Sequence, residues 1–167
     1  PNSYRCEFGG ETPDECAVLC AKSIEDLILF HGPETVAALI AEPVSASSLA
    51  AVPGSPYWPM IREICDRYGV FLIADEVITG FGRTGQMFAV EHWDIVPDLM
   101  TVAKGITSSY LPFAVSIATN RVAEVFAGEK NIFRQALTFG GHPACASAAL
   151  TNIATVSYTH LTLPTIL

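Results

Sequence analysis

The stretch that decides the fold is residues 70–75, which read Val70-Phe71-Leu72-Ile73-Ala74-Asp75. Five successive apolar residues are typical of a parallel strand that is buried on both faces. A second run, Leu99–Val102, leads to Lys104, which stands 29 positions after Asp75. Because open α/β sheets bind ligands at the carboxyl ends of their strands, the sequence predicts a carboxylate and an amine at that edge.

This amine and carboxylate together favour pyridoxal phosphate (PLP) as the ligand. A buried lysine loses its proton readily and can form a Schiff base with a carbonyl compound. An aspartate that faces a pyridine nitrogen keeps it protonated, and the ring then withdraws electrons. We therefore expect Lys104 to be the catalytic residue and Asp75 to bind the cofactor.

Strand and helix patterns alternate along the chain, which predicts an α/β fold with a mostly parallel sheet and helices on both faces. The further strands are predicted at residues 36–41, buried on both faces, and at about 114–118. Helix signals, such as the capping box at residues 12–15, predict helices at residues 13–31, 57–68, 120–127 (capped by Asn120) and from Pro143 onward.

The domain organisation follows from the absence of an internal linker. Residues 1–154 are expected to form one incomplete cofactor-binding domain. After Ala154 the chain turns to β-branched residues and a proline where a helix is under way, without any capping signal. We therefore expect residues 155–167 to be a non-native tail that makes few native-like contacts.

Composition excludes several classes of function. The chain has a net charge of −8 and only nine Lys and Arg residues, which argues against nucleic-acid binding. No apolar run approaches the roughly 18 residues that a membrane span requires. Cys16 and Cys20 stand one helical turn apart and could hold half a metal site, but buried helical thiols are the preferred interpretation. No metal site is predicted, and a reducing cytoplasmic setting is expected.

Four blocks of the sequence resemble the class III aminotransferases, which are PLP enzymes of fold type I. The blocks are Ala41-Glu42-Pro43-Val44, residues 75–85, residues 97–105 and Thr138-Phe139-Gly140-Gly141-His142-Pro143. The resemblance implies PLP as cofactor, an amine or ω-amino acid as donor, a keto acid as acceptor, and a homodimer. It also implies the large domain of that fold.

The resemblance assigns a role to each matching residue. Lys104 would hold the cofactor and later move a proton, while Asp75 would pair with the ring nitrogen. Val77 would pack on one face of the ring, and Glu42 would lie near its polar edge. Thr138 would donate to the cofactor phosphate across the dimer interface. From the residues alone, Glu42 could equally bind loop amides, and Thr138 could simply form a turn.

Members of this family are longer than this chain, so the resemblance implies an internal fragment of the large domain. Two alternatives stay open. The parent could be another fold-type I PLP enzyme, a racemase or a decarboxylase, because fold does not fix function. The chain could also be a truncated form without catalytic activity.

Overall fold

Two units make up the part of the chain that the computed structural model describes, residues 6–128 and 130–162, with side chains through residue 159. The first unit comprises residues 6–75 and 90–97, and the second comprises residues 76–89 and 98–162. The helices are α1 (Pro13–His31), α2 (Tyr57–Tyr68), α3 (Asn120–Ala123) and α4 (Pro143–Val156), and the strands are β1 (Ala38–Ala41), β2 (Phe71–Asp75), β3 (Leu99–Val102) and β4 (Val115–Ala118).

The start and end of α1 are fixed by its flanking residues, as predicted. The Thr12 hydroxyl accepts a hydrogen bond from the Glu15 amide at 3.2 Å, and the Glu15 carboxylate accepts one from the Thr12 amide at 3.3 Å. This reciprocal box satisfies amides that the first turn leaves unpaired. At the other end, Gly32 has a φ of 84°, a conformation in which glycine carries no steric penalty.

The core of the first unit lies between the helices and one face of the β1–β2 pair. These strands are parallel, with Ala41 opposite Ala74, and α2 lies in the connection between them. Trp58 of α2 is fully buried, its indole N–H donates to the Pro43 carbonyl at 3.3 Å, and its ring lies 6.3 Å from that of Trp93. The buried members of this core are Cys16, Ala17, Cys20, Ala21, Ile28, Tyr57, Trp58, Ile61, Ile64, Cys65, Val70 and Leu72.

The first strand differs from its prediction in length and in burial. It begins at Ala38 rather than residue 36, and Ile40 is 62% exposed, so the prediction of burial on both faces is wrong. Side chains alternate along a strand, and only Leu39 and Ala41 pack against the core. The second strand is displaced by one residue from its prediction, which makes Asp75 its last member.

The second unit contains an antiparallel pair, β3 and β4, with Val102 opposite Val115. β1 and β2 are parallel, as predicted, and β4 runs antiparallel to β3. Parallel pairing needs a crossover, usually a helix, whereas the 103–114 connection contains only the 3-10 turn Lys104–Thr107 and a reversal at Ser108 and Ser109.

The helices of the second unit also depart from prediction in detail. Thr119, not Asn120, occupies the cap position of α3, which gives way to a 3-10 turn at Glu124–Phe126. The last helix begins at Pro143 as predicted and extends through the buried Val156 into a π-helical segment, Ser157–Thr162. The non-native tail stays a prediction, and residues 163–167 lie outside the described part.

An apolar cavity of about 430 Å³ lies within the second unit, between α4 and the β3–β4 pair. Val102, Val115 and Ile117 line one side of it, and Ala149 and Ile153 line the other. Among the described residues, no helix combines the length and the apolarity that crossing a bilayer demands.

Candidate active site

Two acidic residues occupy the carboxyl ends of the parallel strands in the first unit. β2 ends at Asp75, and Glu42 directly follows Ala41, the last residue of β1. Because Ala41 pairs with Ala74, the register carries both acids to the same edge of the strand pair. This is the edge at which α/β proteins place their ligands.

Glu42 has a local partner at this edge. Its carboxylate accepts a hydrogen bond from the Ala46 amide at 3.1 Å, four residues along the chain. It also lines a small pocket of about 180 Å³ with Pro43, Ser45 and Tyr57. The structure thus shows the loop-amide contact, which the sequence left open as the alternative to a role beside the cofactor ring.

Lys104 occupies an unusual backbone position in the second unit. Ala103 follows β3, and Lys104 then adopts a left-handed φ of 42° as the first residue of a 3-10 turn. For a residue with a Cβ this conformation is sparsely populated, and such residues cluster at functional sites. The side chain is exposed, so the structure does not show the buried amine that the sequence argument expects.

Asn152 of α4 holds the backbone of the Lys104 loop. Its side-chain amide donates to the carbonyls of Gly105 at 2.7 Å and Ile106 at 3.2 Å, and its oxygen accepts from the Ser108 hydroxyl at 2.6 Å. Thr107 fixes the far side of the turn by donating to the Leu111 carbonyl at 2.7 Å. The sequence analysis missed Asn152, although an amide within an apolar helix is a usable signal.

The segment after β2 forms the wall beside this loop. Glu76 is fully buried, its carboxylate accepts a hydrogen bond from the Thr79 hydroxyl, and its carbonyl accepts one from the Gly80 amide at 2.9 Å. A Cβ on Gly105 would lie only 3.3 Å from the Gly80 carbonyl, and one on Gly80 would lie 2.9 Å from the Glu76 carbonyl. Both glycines therefore permit a backbone approach that a side chain would obstruct.

The Lys104 side chain faces a pocket of about 650 Å³ within the second unit. Arg83, Ser108 and Ser109 share its lining, together with residues 80–82. Two cationic side chains and two hydroxyls suit an anionic ligand, because ionised partners give the stronger hydrogen bonds. Arg83 was not among the predicted site residues, and its presence in the 75–85 block could have indicated it.

Of the five predicted site residues, only Lys104 lines this pocket. Ile78 rather than its neighbour Val77 appears in the lining, and Val77 is half-buried. Thr138 lies in an exposed turn near Gly141, whose φ is 69°. Its neighbours Leu137 and Phe139 are also largely exposed.

Comparison with known proteins decides the family. The sequence matches the profile described as Aminotransferase class-III over residues 3–163. The chain belongs to the class III aminotransferases. It is 44% identical over 147 residues to the putrescine–pyruvate aminotransferase of Pseudomonas aeruginosa, a match that covers 88% of this chain and 32% of the relative.

Other family members give the same result. The taurine–pyruvate aminotransferase of Bilophila wadsworthia is 41% identical over 157 residues, covering 90% of this chain and 33% of that protein. An amine transaminase from an uncultivated Pseudomonas species, solved in its PLP-bound form, superposes with a TM-score of 0.90 at 38% identity, covering 95% of this chain and 36% of that one. The chain spans about a third of the length of these class III relatives.

Proposed function

We propose that this chain is the cofactor-binding part of a transaminase that moves an amino group from an amine or an ω-amino acid to a keto acid, with PLP held at Lys104. The left-handed Lys104 turn, fixed by Asn152 beside a cationic pocket, carries this proposal. It presents a primary amine at the end of β3, which is the group that a carbonyl cofactor requires. The relatives' activities, putrescine–pyruvate and taurine–pyruvate transfer, support the reaction class.

The residues present fit PLP in their chemistry. Lys104 offers the amine for the aldehyde, and Asp75 offers a carboxylate that would hold a proton at the ring nitrogen. Arg83, Ser108 and Ser109 offer donors suited to an anionic group. Bound there, PLP supplies the electron sink for negative charge that develops on the substrate carbon.

The residues around the proposed cofactor site would have distinct roles. The Lys104 amine would hold the cofactor and would carry a proton at its Nζ atom. The Asn152 and Thr107 hydrogen bonds keep the turn in place, so that the amine does not have to be reoriented during each cycle. Val77 would pack on one ring face, and Glu42 would orient the loop at the ring's polar edge.

The proposal extends to an assembly. Thr138 would donate its hydroxyl to the phosphate of a partner subunit's cofactor in a homodimer, and its exposed turn supports that assignment. Exposed apolar side chains nearby, including Phe133, Leu137 and Phe139, support burial of this segment against a second subunit.

A labelling experiment tests the assignment of Lys104. The sequence has only three lysines, Lys22, Lys104 and Lys130, so peptide mapping after borohydride reduction with PLP is unambiguous. We expect label on Lys104 in clear excess over the other two, and loss of that excess in Lys104→Arg. Lys22→Arg, on α1, is the matched control and should leave the labelling of Lys104 unchanged. Equal labelling of all three lysines would refute the assignment.

An activity test separates transamination from the alternatives. A chimaera carrying residues 6–154 in place of the matching segment of the Pseudomonas aeruginosa relative should form alanine from pyruvate and an amine donor. Lys104→Arg in this chimaera should abolish turnover, whereas Lys22→Arg should not. Racemisation or carbon dioxide release without alanine would contradict the proposed reaction.

A further inference from the structure

Three cysteine thiols converge at the start of α1. Cys16 and Cys20 lie one turn apart on α1 with their sulfurs 3.9 Å apart, and Cys6 comes from the preceding loop. All three sulfur atoms lie within 4.8 Å of one another. The sequence predicted the two helical thiols as buried but gave no indication that Cys6 would join them.

The loop that delivers Cys6 is built for this approach. A Cβ on Gly10 would lie 2.5 Å from the Cys16 amide nitrogen, so only glycine lets the loop pass this closely over the helix start. Gly9 has a φ of 82° and donates to the Cys6 carbonyl at 3.3 Å. The Glu15 carboxylate accepts from the Glu11 amide at 3.0 Å, which ties the end of the loop to α1. Backbone constraints, not the thiols themselves, therefore set the position of Cys6.

The sulfur spacing suits a metal ion better than a disulfide. A single ion bound to three sulfurs at roughly 2.3 Å each, with angles near 120°, sets those sulfurs about 4 Å apart. A disulfide requires roughly 2.05 Å, far shorter than the separation of Cys16 and Cys20. Thiolate ligands select soft ions such as Cu(I) and Zn(II).

We propose that Cys6, Cys16 and Cys20 form a trithiolate site for a thiophilic d10 metal ion. The site ties the loop of residues 6–12 to α1 and is independent of the proposed transaminase function. Binding forms three metal–sulfur bonds, releases the thiol protons to solvent and changes no oxidation state. Cys16 and Cys20 are buried, and the half-buried Cys6 gives the ion its route of entry.

An anaerobic titration of the reduced, metal-free chain tests the site. Cd(II) serves as the probe, because thiolate-to-metal charge transfer absorbs in the ultraviolet, and the band should saturate at one ion per chain. Competition by Zn(II), and by Cu(I) in the presence of a chromophoric chelator, then shows which of these two ions the site binds more tightly. Metal should protect Cys6, Cys16 and Cys20 from alkylation while leaving the labelling of Cys145 unchanged.

Variants make the test decisive. Cys6→Ala should lower the affinity by more than the roughly 10–100-fold cost of losing an outer-shell partner. It removes a half-buried side chain and so leaves the core intact, which circular dichroism verifies. Cys65→Ala, at a fully buried thiol outside the cluster, is the control and should bind as the unaltered chain does. Unchanged affinity in Cys6→Ala, or a titration without saturation, would overturn the proposal.

Discussion

The α1–α2 region and the Lys104 loop reach their structures through different interactions. The first is an apolar core around Trp58, Ile61 and Leu72, all fully buried. The second has an exposed lysine in a left-handed conformation, and polar contacts from Asn152 and Thr107 hold its backbone. Apolar packing provides stability but little directional control, whereas hydrogen bonds fix the direction in which a side chain emerges. The same chain thus divides stability and site geometry between two sets of residues.

Removal of Trp58 should give the largest effect and would test the apolar side of this comparison. Trp58→Ala removes a fully buried indole and its contact with Trp93, which we expect to cost about 3–5 kcal/mol of unfolding free energy. Urea denaturation, monitored by circular dichroism, measures this loss of unfolding free energy. Leu27→Ala, at an exposed site on the same unit, should change stability by less than about 0.5 kcal/mol. Comparable losses in both variants would contradict an apolar core centred on Trp58.

Alkaline pH should weaken the first unit through Tyr57. Burial raises the pKa of the Tyr57 phenol from 10.0 to about 12. The stability this provides is fully present below pH 10 and is lost as the pH rises toward 12, because the unfolded chain ionises first. The loss amounts to roughly 2–3 kcal/mol.

Tyr57→Phe isolates this contribution. Cys16 also has a raised pKa and weakens the fold in alkali, so only the difference between the two proteins reports on Tyr57. Denaturation at a series of pH values should show a steeper decline in the unaltered chain. Parallel curves for the two proteins would refute the assignment.

A smaller effect is expected from the polar contacts of the second unit. Thr79→Val removes a hydroxyl that donates to the buried Glu76 carboxylate, at a cost of about 1–3 kcal/mol. It should also reduce PLP labelling of Lys104, because Gly80 and Gly105 lie against each other. Thr151→Val, on exposed α4 surface, is the control. Lost stability with unchanged labelling would show that Glu76 serves the fold alone.

The α1 cap should give the smallest effect. Thr12→Ala removes the oxygen that accepts from the Glu15 amide and should cost about 1 kcal/mol, whereas Thr12→Ser should restore most of it. Thermal unfolding is sensitive enough to distinguish the alanine variant from the serine variant. If alanine and serine behaved alike, the capping box would contribute nothing to stability.

The sequence predicted the elements whose causes are local. The bounds of α1, α2 and β3 follow from caps, glycine stops and short apolar runs that nearby residues determine. The antiparallel direction of β4 could not be read in this way, because it depends on left-handed Ser108 and Ser109, which residue type does not disclose. Exposure of Ile40 was missed because an apolar run cannot tell one covered face from two.

In the candidate site, too, residues with a local sequence signal could be predicted, and residues placed by contacts distant in sequence could not. Lys104, Asp75 and Glu42 could be predicted because each lies at or near the end of an apolar strand in a recognisable block, and their roles stay predictions. Asn152 was missed because its contacts with Gly105 and Ile106 span more than 40 positions of sequence. The proximity of Cys6 to Cys16 was not predicted for a related reason, since it depends on the conformation of Gly9 and Gly10.

The left-handed backbone of Lys104 bears on how variant libraries of this chain should be interpreted. A side chain with a Cβ pays roughly 1–2 kcal/mol in this conformation, and glycine pays almost nothing. A library selected for folding alone should therefore enrich glycine and asparagine at position 104 and deplete valine and isoleucine. A library selected for amino transfer should keep lysine. Directed evolution that rewards thermal resistance alone would consequently favour losing this amine, so position 104 should be held constant in any stabilisation campaign.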